Sequence, residues 1–392
     1  MDSRRPFLLA LLLALASSAL VMACDSGTIG PVDAGADDEP DPPSPGVTNL
    51  QVETLVSGLD TPWDLAWGPD GAIWFTERAG RVSRVDPSGG EVTVVGEIEV
   101  EERGESGLMG MAFHPDFETT PYVYFVYSYE AFGGEENRLI RMRYQAGVLM
   151  DAETLVDQIP GNVFHDGSRL TVGPDRLLYF TMGDAGDQDA AQDLESLSGK
   201  VLRVTLEGAP APENPFDSYV YSYGHRNPQG IVFNPLTGDL YVAEHGPGDN
   251  DELMRVVEGG DHGWPSVHGF CDADVGTEND YCDSHEVVEP LRAWTPTIGI
   301  SGLDYYGSDL IPGWRESLLV TSLIGETLWR LELLDEGTSL GDFEEILGDE
   351  YGRLRDVMVA PDGTVYVATS NRDGRGQAIA DDDRILKITP AT

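Results

Sequence analysis

Hydrophobic and polar positions along this chain come in short alternating or β-branched runs, and apolar residues seldom recur at the 3.6-residue helical period. One signature appears six times, a proline-containing turn followed by a strand-like run. The copies are GPDGAIWFTE from Gly68, HPDFETTPYVYFVYS from His114, GPDRLLYFTMGD from Gly173, NPLTGDLYVAEHG from Asn234, PGWRESLLVTS from Pro312 and APDGTVYVATSN from Ala360. Proline presets φ at a turn's second position, and Asp and Gly take the special conformations that follow. Tyr, Val, Ile and Phe then suit a pleated, half-buried surface. The anchors Pro69, Pro115, Pro174, Pro235, Pro312 and Pro361 are 46, 59, 61, 77 and 49 residues apart. Further strand-like runs lie between them (RVSRVD, RLIRMRY, KVLRVTL, TLWRLEL, RILKITP). A unit of that size holding about four strands is a propeller blade. The pattern predicts an all-β fold, a six-bladed β-propeller of four-stranded antiparallel blades over residues 47–392. A sandwich or two stacked barrels would not repeat one turn-strand signature six times.

The N-terminal pattern differs. Arg4 and Arg5 precede an apolar run from Phe7 to Met22 broken only by Ser17 and Ser18, which reads as a signal peptide over residues 1–23. Val21-Met22-Ala23-Cys24 resembles a bacterial lipobox, so Cys24 is the expected lipidation site. Residues 24–46 are rich in Asp, Pro, Gly and Ser and read as a solvated tether. The chain is therefore expected to be exported and lipid-anchored, in the periplasm or at the cell surface. In that compartment Cys271 and Cys282, eleven residues apart, are expected to form a disulfide.

Composition narrows the function classes. Lys+Arg number 24 against 69 Asp+Glu, a net charge of −45, and Lys200 and Lys387 are the only lysines. So acidic a chain repels phosphate backbones, which excludes nucleic acid, and it touches a membrane only through its anchor. With 7 Trp, 15 Tyr and 12 Phe it has ample core, so it is no disordered polyanion. The acidity also fits a salty habitat, where screening relieves self-repulsion.

Propeller loops at one face supply ligand sites on the axis, so polar clusters flanking the repeat strands are the candidates. His165 lies in NVFHDGSRL and Asp184 in TMGDAGD; His225, Arg226 and Asn227 lie in GHRNPQG. Asp249, Asp251 and Glu252 lie in AEHGPGDNDEL, and Arg353 and Arg355 in GRLRDV. Alternation puts the last two on one face of a strand, a clamp for a carboxylate-bearing ligand or partners for surface acids. GPGDNDE reads either as an oxygen-rich Ca²⁺ loop or as a solvated turn. The residues by themselves support a ligand-binding propeller.

In this order the clusters resemble the soluble PQQ-dependent aldose sugar dehydrogenases, the glucose/sorbosone dehydrogenase family, from about Gly58 to Pro390. The carrying segments are LDTPWDLAWGPDG, GESGLMGMAFHPDF, HDGSRL, AQDLESLSGKVLRV, YGHRNPQG, HGPGDNDEL, HGWP, WTPTIGISG and GRLRDV. The resemblance implies that an aldose is oxidised at its anomeric hydroxyl to a lactone, with electrons passing through Ca²⁺-bound PQQ to an external cytochrome or quinone. It implies His165 as general base, with Asp184 orienting it, and Arg226 as the cation that stabilises charge on the quinone. Glu105, Asn227, Arg353 and Arg355 fall on cofactor-contacting positions. Gly246 and Pro247 match residues whose backbone carbonyls hold Ca²⁺, and Asp251 and Glu252 match carboxylates supporting Ca²⁺ sites.

Three positions depart from the pattern. Ile324 stands about where the family usually has a Lys for a PQQ carboxylate, an expected cost of ~1–3 kcal/mol in cofactor binding. Glu105 replaces a Gln of well-known members, as in related bacterial ones, and Ser168 replaces a common Gly. Two competing readings follow. One is a non-catalytic propeller that binds a glycan or protein and has lost PQQ; the other is a hydrolase or lactonase using a metal held by the Asp/Glu loop.

Overall fold

The computed structural model describes residues 49–272, 276 and 278–391. The expected signal peptide and the whole tether, Cys24 included, lie outside the described residues. Within them, strands pair into six antiparallel sheets of four strands each, the six blades of the predicted propeller. The first strands of the blades are Pro62–Trp67, Leu108–Phe113, Leu170–Val172, Pro228–Phe233, Ile300–Tyr306 and Leu354–Val359. Each touches the first strand of the next blade, the sixth returning to the first, so these strands line the axis.

All six anchor prolines fall between the first and second strand of a blade. The local chemistry explains the recurrence. In the first copy Gly71 N–H donates to the Gly68 carbonyl (2.9 Å), and Asp70 Oδ1 accepts from the Trp74 indole (3.0 Å). In the third, Asp175 accepts from Leu177 N–H (3.1 Å) and the Tyr179 hydroxyl (2.7 Å). The turn aspartate thus ties the turn to the strand it launches.

Apolar burial is organised between blades. Six hydrophobic clusters each join two neighbours, such as Trp74, Val82 and Val95 of blade 1 with Met111, Phe125 and Ile140 of blade 2. The ring closes through the strand Leu50–Ser57, which pairs with Arg384–Pro390 from Leu50↔Pro390 to Ser57↔Arg384. Blade 6 therefore carries the N-terminal strand as its outer edge. Cys271 and Cys282 are joined in a disulfide, Cα atoms 6.2 Å apart.

Around the axis the packing is ionic and polar. Asp64 Oδ2 accepts from Met111 N–H of blade 2 (2.6 Å), and Asp304 Oδ2 from Val359 N–H of blade 6 (2.6 Å). Asp356 Oδ2 accepts from Leu65 N–H of blade 1 (2.7 Å). Arg169 of blade 3 reaches Asp64 at 2.7 Å and Asp356 at 3.0 Å, with Trp63 beneath it at 4.2 Å. Burial pushes both aspartates up while Arg169 draws them down, and one guanidinium neutralises only one of the two. This triad spans the axis; beyond it lies a cavity of about 380 Å³.

Burial pushes Asp304 up to about 7, although two backbone N–H groups oppose it. Folded protein thus retains a proton that the unfolded chain releases near pH 4. The stability Asp304 contributes is full below about pH 4 and is lost as pH rises towards 7. Asp304→Asn is expected to flatten this slope. Urea midpoints at pH 5 and pH 8 check it, with the variant losing less than the parent; an equal loss contradicts the assignment.

Candidate active site

The sequence-predicted residues gather at the face where the axial strands begin. His165 and Glu105 sit in loops leading into Leu170–Val172 and Leu108–Phe113, and Arg226 and Asn227 directly precede Pro228–Phe233. Arg353 and Arg355 open the sixth axial strand, while Asp184 and Gly246-Pro247 follow the second strands of blades 3 and 4.

His165 Nδ1 lies 2.8 Å from Asp184 Oδ1. An ionised carboxylate only accepts, so Nδ1 carries the proton and Nε2 keeps its lone pair. The imidazole side chain is 17 % exposed and the carboxylate 0 %, so the base is reachable and its orienter sealed. Asp184 Oδ1 also accepts from Gly186 N–H (2.7 Å), and Oδ2 from the Trp264 indole (2.9 Å). His165 has φ +62°, a conformation that costs a non-glycine residue energy and that functional sites retain. Glycine is required at 183, where a Cβ would lie 1.9 Å from the His165 carbonyl oxygen. Ser168 has φ +78°, which explains why glycine suits this position; its hydroxyl offsets the strain by donating to the Asp166 carbonyl (2.7 Å).

Next to this pair, the cations are held with donors to spare. Arg226 N–H donates to Glu244 Oε1 (2.5 Å), its Nη1 donates to the His245 carbonyl (2.8 Å), and its guanidinium lies 5.3 Å from the Trp264 ring. Arg355 Nη1 donates to Gln229 Oε1 (2.8 Å). The Nε of both arginines and the Asn227 amide nitrogen are buried without a hydrogen-bond partner. Desolvation pushes both guanidiniums down; Asp184 and Glu244 partly offset this for Arg226, Asp373 for Arg355. Cations with buried, unmet N–H groups suit an anionic, acceptor-rich ligand.

Arg353 does not point freely at a ligand, because it pairs with Asp373 (2.8 Å) and donates to the Leu323 carbonyl (3.1 Å). Glu105 bridges two loops, accepting from His165 N–H (3.3 Å) and Arg375 Nη1 (2.6 Å). Burial pushes the Glu105 carboxyl up, but Arg375, with the His165 N–H and Arg355, more than offsets it and holds it low.

Asp251 and Glu252 do not converge. Neighbours on the strand Asp251–Val256, they face opposite sides. Asp251 accepts from Gly246 N–H (2.8 Å), Thr297 Oγ1 (2.6 Å), Ile298 N–H (3.0 Å) and Ile300 N–H (2.9 Å), while Glu252 accepts from Gly269 N–H (2.9 Å). Among the described residues no three His, Cys, Asp or Glu side chains form a metal cluster. What 246–247 offers is backbone carbonyl oxygen, a hard donor that suits Ca²⁺ when a ligand adds further oxygens. Asp251 shapes that segment through Gly246.

Three neighbours of the site carry no local sequence signal of their role. Trp264 stands in HGWP, a segment that marks the resemblance but names no function. Glu244 reads as the end of a strand, yet it holds Arg226. Arg375 lies in an unremarkable DGRG turn, yet it shares a groove of about 570 Å³ with Ile324, Arg353 and Arg384. Ile324 itself is 55 % exposed.

Residues 59–381 match the family model described as Glucose / Sorbosone dehydrogenase. The chain is 31 % identical to quinoprotein glucose dehydrogenase B of Acinetobacter calcoaceticus, covering 86 % of this chain and 88 % of that protein. It is 29 % identical to aldose sugar dehydrogenase YliI of Escherichia coli, over 87 % of this chain and 93 % of that one. The PQQ-bound aldose sugar dehydrogenase of Streptomyces coelicolor superposes with a TM-score of 0.76 at 36 % identity, covering 87 % of this chain and 98 % of that one.

Asp251→Ala takes a fully buried acceptor away from four donors. It is expected to destabilise the fold by about 3 kcal/mol, since each stranded donor keeps its desolvation penalty. Denaturant melts check this; a midpoint equal to the parent's would contradict the clasp.

Proposed function

Because the chain belongs to the glucose/sorbosone dehydrogenase family, we propose that it is a PQQ- and Ca²⁺-dependent dehydrogenase that oxidises the anomeric hydroxyl of aldoses to lactones. The observation that carries the reading is the pairing of an accessible, Asp184-oriented His165 with two guanidiniums, Arg226's half-buried and Arg355's buried, whose buried Nε atoms lack partners. Binding alone does not require an oriented base beside such cations. A metal-dependent hydrolase is disfavoured, since Asp251 is committed to four donors.

PQQ, when bound, would supply the two-electron oxidising chemistry, a hydride acceptor for C1 of the sugar and a relay to an external cytochrome or quinone. The chain's own groups do the rest. His165 Nε2 takes the proton of the anomeric hydroxyl, and Asp184, accepting from Nδ1–H, stabilises the imidazolium that forms. Arg226 and Arg355 offer permanent positive charge to the anionic cofactor, and Asn227 adds an amide donor. Gly246 and Pro247 carbonyls would hold Ca²⁺. Arg375, which lines the same groove as Ile324 and pairs with Glu105, would offer a cofactor carboxylate the cation that Ile324 does not. The lipobox-like N-terminus supports export and lipid anchoring in the periplasm or at the cell surface.

Dye-linked aldose oxidation with and without added PQQ and Ca²⁺ tests the reading. Activity is expected to need both additions, and His165→Ala to lose about 10²–10⁴-fold in kcat, the worth of a general base, while still binding PQQ. Unchanged turnover in that variant would contradict the assignment. Arg375→Ala is expected to weaken PQQ binding by about tenfold, the scale of one charged hydrogen bond, read by fluorescence titration; an unchanged Kd would remove Arg375 from the cofactor site.

A further inference from the structure

One buried side chain touches both halves of the site. The Trp264 indole N–H donates to Asp184 Oδ2 (2.9 Å), and its ring lies 5.3 Å from the Arg226 guanidinium. Its backbone is pinned on both sides, N–H to the Gly224 carbonyl (3.1 Å) and carbonyl to Gln192 Nε2 (2.9 Å). The ring also stacks on His268, centroids 5.0 Å apart. Trp264 is only 5 % exposed, so it is placed to act through the groups it touches.

The geometry points to Trp264 as the positioning residue that couples the base pair to the cofactor-side cation. Asp184 has two oxygens to orient. Oδ1 serves His165 and Gly186, and the indole alone among the described groups takes Oδ2. Fixing Oδ2 fixes the carboxylate plane, which keeps His165 in the tautomer with Nδ1 protonated and Nε2 free. The π face beneath Arg226 favours its cation in a desolvated place, and that guanidinium faces the same Asp184. One rigid ring therefore sets the spacing between proton acceptor and positive charge. The charged groups facing His165 and Asp184 from the surrounding loops are Glu105, Arg226 and Glu244, and none of them donates to Oδ2.

The rate effect rests on the dehydrogenase reading; the tautomer effect does not. Nitrogen-15 NMR of the full chain without cofactor reads the His165 ring, with the signal identified through His165→Gln. The unaltered protein is expected to show the Nδ1–H tautomer alone. Trp264→Phe, which keeps a ring but no donor, is expected to add the Nε2–H form. In the PQQ-loaded enzyme the same variant should lower kcat about ten- to hundredfold, the worth of one hydrogen bond to a charged group, with KM within about twofold. An unchanged tautomer and an unchanged kcat would overturn the proposal and leave Trp264 as packing. A tautomer change in protein that oxidises no sugar would uphold the coupling while sinking the dehydrogenase reading. Should Trp264→Phe fail to fold, the unaltered protein decides. Its Trp264 indole N–H signal, recognised by contact with His268, should move in step with protonation of the His165 ring, followed by that ring's own signal. An indole signal that ignores His165 overturns the proposal.

Discussion

Each axial strand is the edge of its sheet, and its outward backbone groups are buried in the middle of a ring where they must still be satisfied. That constraint shapes the molecule. Asp64, Asp304 and Asp356 meet it by accepting from the axial strand of the following blade, so the groups that solve the edge problem also fix how neighbouring blades sit. Asp356 does this at the seam where the sixth blade meets the first. Arg169 then offsets part of the charge these carboxylates bring into the interior. Ionic packing on the axis leaves apolar burial to the six layers between blades.

The same device is used at the site face. Asp184, Glu244 and Asp251 each accept several donors and so tie one loop to another: Asp184 joins His165 to Trp264, Glu244 joins His225 to the Arg226 backbone, and Asp251 joins residues 246 and 297–300. With the carboxylates so occupied, the cations are left under-partnered. Arg226 and Arg355 keep buried N–H groups unmet, the condition in which an anionic ligand binds with gain.

The fold was legible because its governing signal is local. A Pro-Asp turn and the strand after it are fixed by φ preferences and side chain-to-backbone bonds within a few residues, so six copies could be counted without knowing how they meet. The positions of His165, Asp184 and Arg226 were legible through ordered motifs. Partner choice was not. Arg353 looked like a ligand clamp, yet Asp373, twenty residues away, holds it; Arg375, which no motif singled out, pairs with Glu105. Ser168 looked like a departure until its left-handed φ showed why the position favours glycine. The Arg353–Asp373 pair closes within the sixth blade and the Arg375–Glu105 pair joins loops of different blades; both depend on how loops meet in space, which no short-range pattern encodes. Signal peptide, tether and lipid anchor rest on sequence alone.

The central claim is that unmet buried cations at this mouth are the seat of PQQ. Calorimetric titration of PQQ into the full chain with Ca²⁺ present tests it most directly. The account predicts saturable binding at one PQQ per chain, weakened by added salt because charge pairing drives it. No heat of binding, or heat that is unsaturable and indifferent to salt, would contradict the claim and leave a propeller that binds something else.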